Sequence, residues 1–158
     1  MTLPSRLPAL AAGALCLFLP LLAGATPPPD VQMRKSICSG AYLIDLKLDF
    51  TDAGINANVR ASADLEPTGF SPPPPLPSYA LYVDVAYRAN ATAPWQDSWQ
   101  QITDATENGY PAQPVSKFIG GWKGPTCELR GVAIANVGCP DGTWAYETLQ
   151  QSWPGCGV

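Results

Sequence analysis

The chain contains no histidine. Ser-His-Asp and Cys-His nucleophiles, His-ligated metals and the usual neutral-pH proton carrier are therefore absent, and proton transfer falls to carboxylates. Asp45, Asp49 and Asp52 come closest to a constellation. A glycosidase needs two carboxyls about 5–9.5 Å apart across a cleft, whereas four strand steps put Asp45 and Asp49 about 13 Å apart. Asp49 and Asp52 could approach across a turn at residues 51–54, and with Thr51 they offer the oxygen ligands that calcium takes. No recognised calcium loop matches them. The expected role of all three is a solvated strand face and turn, with no metal and no cofactor. Asp64, Glu66, Glu128 and Glu147 are dispersed, and Lys117, Lys123 and Arg130, near Trp122, read as ordinary surface charge.

Aromatic residues are the stronger lead. Five tryptophans are present, and Trp95, Trp122, Trp144 and Trp153 fall at or beside expected loops, while Trp99 lies inside a strand-like run. A loop tryptophan either seals the end of a core or offers a flat face to a sugar or a partner side chain. Trp95 and Trp122 are the candidates for ligand contact, because Pro94 and the glycines around Trp122 lend them little apolar support. Asn90-Ala91-Thr92 is a glycosylation sequon just after a strand, and Asn90 carries a glycan only if the host is eukaryotic.

Cysteines set the compartment. Residues 1–25 have the pattern of a secretory signal: one charged side chain (Arg6), an apolar run over 9–22, and Ala23-Gly24-Ala25 as a small-residue cleavage site. The run falls short of the ~20 residues of a membrane span and is broken by Pro20. Cys16 leaves with the signal, so four of the five cysteines remain. An even number behind a signal implies two disulfides in an oxidising compartment. Zinc is disfavoured, since there is no Cys-x-x-Cys pair. If residues 127–137 form a strand, Cys127 and Cys139 lie about 40 Å apart, far beyond the ~7 Å a disulfide tolerates. Folding the chain about Asp141 and Gly142 places Cys127 opposite Cys156; a bulged turn moves Cys156 opposite Thr126, and one further bulge restores the match. The expected pairs are Cys127–Cys156 and, by elimination, Cys38–Cys139.

Signal removal leaves 133 of the 158 residues and a balance of eight basic against thirteen acidic side chains, a net −5. That length supports one domain burying about two-thirds of its extended surface. An acidic chain with no basic stripe does not suit nucleic acid or an anionic membrane. The expected product is secreted, extracellular or periplasmic.

Strands must position these residues. Residues 26–35 read as a proline-rich extended leader outside the fold. Residues 42–50 and 55–65 alternate apolar and polar side chains on either side of a turn at 51–54, which predicts a hairpin. Pro72-Pro73-Pro74-Pro75 lack amide donors, so residues 67–78 form a rigid crossover. Alternation resumes over 79–88. Residues 95–103 fit a short helix by the spacing of Trp95, Trp99 and Ile102, but β-rich surroundings favour a strand at 99–103. Residues 107–111 read as a turn, 115–119 as a short strand and 120–125 as a bend. Cys139-Pro140-Asp141-Gly142 is a strong turn signal between strands at 127–137 and 143–151. That hairpin is expected in the middle of the fold, with residues 132–135 apolar on both faces.

The profile is an all-β, two-sheet antiparallel β-sandwich of about seven strands over residues 36–158, stabilised by disulfides. The runs Tyr82-Val83-Asp84-Val85-Ala86-Tyr87-Arg88 and Leu129-Arg130-Gly131-Val132-Ala133-Ile134-Ala135-Asn136, with Trp99 between them, resemble the central strands of fibronectin type III domains. The likeness covers under half the chain and implies an Ig/fibronectin III-like arrangement. The expected function is a non-catalytic binding module presenting loop aromatics to a carbohydrate or an extracellular protein. A structural or surface-assembly subunit is the alternative, from the proline leader and possible open edge strands. A carboxylate-only glycoside hydrolase ranks third.

Overall fold

Period-two alternation is realised as ten strands in a computed structural model that describes residues 27–154, apart from 54–55, 70–72, 105, 108–109, 112–113, 122–123 and 125. They are β1 (Val31–Ile37), β2 (Tyr42–Ala53), β3 (Asn56–Pro67), β4 (Ser78–Arg88), β5 (Gln96–Thr103), β6 (Thr106–Glu107), β7 (Tyr110–Pro111), β8 (Val115–Ile119), β9 (Glu128–Gly138) and β10 (Trp144–Pro154). Two antiparallel four-stranded sheets, ordered β1-β2-β3-β8 and β10-β9-β4-β5, make the sandwich, and β6 with β7 forms a small separate ribbon. The chain passes between the sheets three times, from β3 to β4, from β5 to β8 and from β8 to β9; because β3 pairs antiparallel with β8 and β4 with β9, the first two crossings lie at one end of the sandwich and the third at the other. This is a sandwich in architecture. Leaving out the N-terminal edge strand β1, the order β2-β3-β8 facing β10-β9-β4-β5 is that of an immunoglobulin-like sandwich, A-B-E against G-F-C-C′, with the second and third of those strands in opposite sheets, as expected.

The core is the set of inward alternates. Tyr42, Ile44, Leu46, Leu48 and Phe50 on β2 and Leu81, Val83 and Val85 on β4 supply most of its bulk. Facing strands supply small residues: Ala57, Ala61 and Ala63 on β3, and Gly131, Ala133 and Ala135 on β9. Alternating large against small lets the sheets approach to a side-chain layer about 10 Å thick. At Gly131 the approach is closest, since a Cβ there would sit 2.9 Å from Leu48 Cδ2 and 3.2 Å from Val59 Cγ2.

The turn at 139–142 takes the bulged form. The Cys139 amide donates to Thr143 O (2.8 Å), the Gly142 amide donates to Cys139 O (3.0 Å), and Gly142 adopts φ +82°. Asp141 Oδ1 accepts from the Thr143 amide and hydroxyl at 2.9 and 2.6 Å, which holds its carboxyl below the ordinary value. The register then runs without a slip from Gly138↔Trp144 to Glu128↔Pro154. Only the first strand of this hairpin is central: β9 lies between β10 and β4, while β10 is an edge.

Cys38 and Cys139 are disulfide-bonded across 101 residues of sequence, the pairing expected. The bond ties the 3-10 turn Cys38–Gly40, after β1, to the end of β9, and so links the two sheets at one end of the sandwich. Cys38 and Ser39 occupy the left-handed region (φ 52° and 56°), a conformation that persists because the surrounding structure holds it. Cys127 is also half of a disulfide; its expected partner, Cys156, lies outside the described residues, as does the signal at 1–25.

Several expectations change. The leader at 26–35 ends at Val31, where the chain joins β2 from Val31↔Leu48 to Ile37↔Tyr42. Only residues 31–37 alternate there, over a span too short and too charged to stand out beside a proline run. The β2–β3 turn is not at 51–54, because β2 continues to Ala53 and pairs with Asn56. The segment 107–111 contributes to a ribbon rather than a plain turn, while the strand favoured at 99–103 is present and begins earlier, at Gln96. With β1 and the ribbon added, about seven strands become ten.

Each open side of the sandwich brings two edge strands together, β1 with β10 and β8 with β5. Lys35 on β1 pairs with Glu147 on β10, and both residues lie at core-facing register positions, opposite Ile44 and Ala135. Lys117 on β8 is at a core-facing position too, opposite Ala61. Inward charge on an edge opposes pairing with another chain.

Two substitutions test this packing. Gly131→Ala should lower unfolding free energy by about 1–3 kcal/mol in urea titration, since both side chains it meets are enclosed in the core. Cys38→Ala with Cys139→Ala should cost about 3–5 kcal/mol by the same measurement, the range expected for opening a loop of this length.

Candidate binding face

Polar residues occupy most outward positions of the first sheet, as alternation dictates. Asp45 is the exception to expectation: it is 5% exposed rather than solvated. Gln32 donates to both its oxygens (2.8 and 3.0 Å), Lys47 lies 3.1 Å away and Arg34 3.6 Å. Gln32 and Arg34 belong to β1, the strand hidden in the expected leader, so its pairing is what covers the carboxylate. Asp49 and Asp52 lie on one strand at positions of opposite parity, hence on opposite faces. They do not converge as the glycosidase and calcium alternatives require. Among the described residues no group of three or more Asp, Glu or Cys side chains is placed to hold a metal ion.

The second sheet differs. Its outward positions form four successive rows across β5, β4, β9 and β10: Thr103-Ala80-Asn136-Tyr146, Gln101-Tyr82-Ile134-Thr148, Trp99-Asp84-Val132-Gln150 and Asp97-Ala86-Arg130-Ser152. Trp144 follows beyond the first row, paired with Gly138. Trp99, Trp144 and Tyr146 are 61%, 66% and 63% exposed, although large aromatics usually find cover. Tyr82 stacks on Trp99 with ring centroids 6.1 Å apart and planes inclined by 23°. The Trp144 ring lies over Gly138, where a Cβ would stand 3.3 Å from two of its carbons. A backbone without a side chain thus serves as the floor for that indole.

A polar network underlies the lower rows. Arg130 Nη2 donates to Asp84 Oδ2 (3.2 Å) and Asp97 Oδ1 (3.3 Å), and Arg88 Nε donates to Glu128 Oε2 (2.7 Å). Both guanidinium groups lie over the Trp95 ring, 4.7 and 4.8 Å from its centroid, an attraction toward the negative face of the indole. Asp84 is only 6% exposed. Burial pushes its carboxyl above the ordinary value, the Asp97 charge adds to the rise, and Arg130 opposes it. Burial, then Asp84 and Asp97, also raise the Tyr82 phenol, which keeps its proton at neutral pH and remains a donor.

The candidate residues from sequence are thus dispersed. Trp95 sits at the end of the β4–β5 loop beneath two arginines, and Trp122 and Lys123 lie outside the described residues. Arg130 belongs to this face, bound to Asp84 and Asp97, rather than to a surface patch with Lys117, which is on β8. Trp153 is buried in the core. Asn90 is exposed in the β4–β5 loop, its Oδ1 accepting from the Thr92 amide and hydroxyl and the Ala93 amide. Tyr82, Trp99, Trp144 and Tyr146 are not singled out as a group by sequence reasoning. Their signal was present: each occupies the polar phase of an alternating run, where an aromatic is out of place. A groove of about 180 Å³ between Cys38, Ser39, Pro74, Pro140 and Asp141 is smaller than the ~300 Å³ at which ligand pockets begin.

Asp84 has a signature in pH. Its folded-state pKa is raised, so the folded protein holds that proton more tightly than the unfolded chain does. Stability therefore falls as pH rises from the ordinary carboxylate value through the raised one. Thermal midpoints measured across the acid range should show this downward component in the wild type and lack it in Asp84→Asn. Compared with known proteins, the chain matches no family model and no curated protein.

Proposed function

We propose that this protein is an exported, non-catalytic binding module whose outer β10-β9-β4-β5 face holds a carbohydrate. The observation that carries the reading is the set of solvent-facing rings, Trp99 on Tyr82, Tyr146 and Trp144, on a sheet face interleaved with side-chain amides. A rigid sheet presents them at fixed spacing, which limits the ordering cost of binding. Trp95 extends the face at its lower rim, and Trp122 remains a candidate from sequence. Export is supported by the Cys38–Cys139 disulfide and the N-terminal signal pattern; among the described residues no helix is long and apolar enough to cross a membrane. A binding role accords with Asp84, whose carboxyl lies buried under the Arg130 bridge rather than open to a substrate.

A surface-assembly subunit is the second reading. It is favoured by β5, whose core-facing positions Gln96, Ser98, Gln100 and Ile102 carry no charge, unlike those of the other three edges.

Trp99→Ala should weaken carbohydrate binding about tenfold or more in affinity electrophoresis, as loss of an aromatic anchor does, while the thermal midpoint stays near wild type because the ring is largely exposed. Unchanged binding in a Trp99→Ala, Tyr146→Ala double variant would overturn the proposal.

A further inference from the structure

We infer that the ligand is an uncharged polysaccharide, bound along the interior of its chain and spanning the sheet from Trp99 and Tyr82 on one side to Tyr146 on the other. The inference rests on the binding-module proposal and narrows it by charge and shape.

Charge comes first. The only cations at outward positions of these four strands are Arg88 and Arg130. Each is hydrogen-bonded to a carboxylate, Arg88 to Glu128 and Arg130 to both Asp84 and Asp97, and each also lies on Trp95. Among the described residues of these four strands, no free guanidinium or ammonium remains to meet a uronate or a sulfate. The three carboxylates each accept from one of these arginines, and Asp84 is buried as well, which leaves little for a cationic ligand to pair with. What the middle of the face does offer is Gln101, Asn136, Thr148 and Gln150, all exposed. Amides and hydroxyls that both donate and accept match the hydroxyls of a neutral sugar, and a sugar's C–H face covers an aromatic ring.

Shape then selects the chain interior. The face is the outside of a sheet, an open surface along which the interior of a chain can lie. Trp99 and Tyr146 are three strands and four residue steps apart, about 19 Å, so a ligand touching both must be several sugar units long and must cross the strands obliquely.

Affinity electrophoresis of the mature protein tests this, in gels holding a neutral β-glucan, a neutral mannan, polygalacturonate or a sulfated dextran. At least one neutral polymer should retard the wild type to a degree that added salt does not reduce. Trp99→Ala and Tyr146→Ala should each lose about tenfold in affinity, with Trp99→Phe retaining part of it, and oligosaccharide competitors should improve with length. Retardation only by the two anionic polymers, abolished by salt, would overturn the neutral-ligand inference and leave a carbohydrate-binding module standing. Loss in Trp99→Ala with none in Tyr146→Ala, at unchanged thermal midpoints, would overturn the spanning geometry alone. No retardation by any of the four would overturn the carbohydrate proposal itself.

Discussion

Two sheets held a side chain's width apart by small residues facing large ones are the condition on which the molecule rests. Gly131 on β9 lies under Leu48 and Val59, with Ala133 and Ala135 continuing the thin side of the layer. Tyr42, Ile44, Leu46 and Leu48 fill it from β2 and are fully buried. Because the hydrophobic term scales with apolar area removed from water, the inner alternates carry the cohesion of the fold. The outer alternates are then free of that duty. An exposed tryptophan at an outward position is tolerated because the sheet is already secured from the other side, and the crossings from β3 to β4, from β5 to β8 and from β8 to β9 keep both faces in one covalent frame.

The ends and the sides are secured by other means. Cys38–Cys139 joins the two sheets where the hydrophobic layer ends, and Tyr42 donates its hydroxyl to Pro74 O at 3.0 Å, fastening the proline crossover to the core. At the sides, Lys35, Glu147 and Lys117 turn charge toward the core from three of the four edge strands. Burying such a charge against an added strand is costly, so these edges resist growth of the sheet. The same feature sets the two functional readings apart. Assembly through edges is opposed on three of them, whereas the outer face of β10-β9-β4-β5 carries aromatic area with no such guard.

The charged network beneath that face shapes it without joining it. Arg130 gathers Asp84 and Asp97 and leans on Trp95, which brings Asp84 under cover at a cost recorded in its raised pKa. Removing one member of such a set leaves a buried charge unpaired, so its members depend on one another. Its effect is to pair the charges of the lower rows with one another, leaving the rings and amides above them as the accessible chemistry.

Local pattern was enough for most of the strands. Alternation over 42–50 and 79–88 set which side chains face inward, Pro140-Asp141-Gly142 set the hairpin register, and the same hairpin placed Cys139 beyond reach of Cys127. These follow from one residue's relation to the next few, which is all that periodicity and turn chemistry encode. Neighbours distant in sequence are a different matter. That β1 lies beside β2 and covers Asp45, and that β4 lies between β5 and β9 so that Tyr82, Trp99 and Tyr146 share one surface, depends on which strand edges meet once the core closes. A tryptophan in the polar phase of β5 reads as an irregularity when taken alone; it becomes part of a surface only when pairing between non-consecutive strands sets it among other rings, because alternation specifies a face but not the strands that complete it.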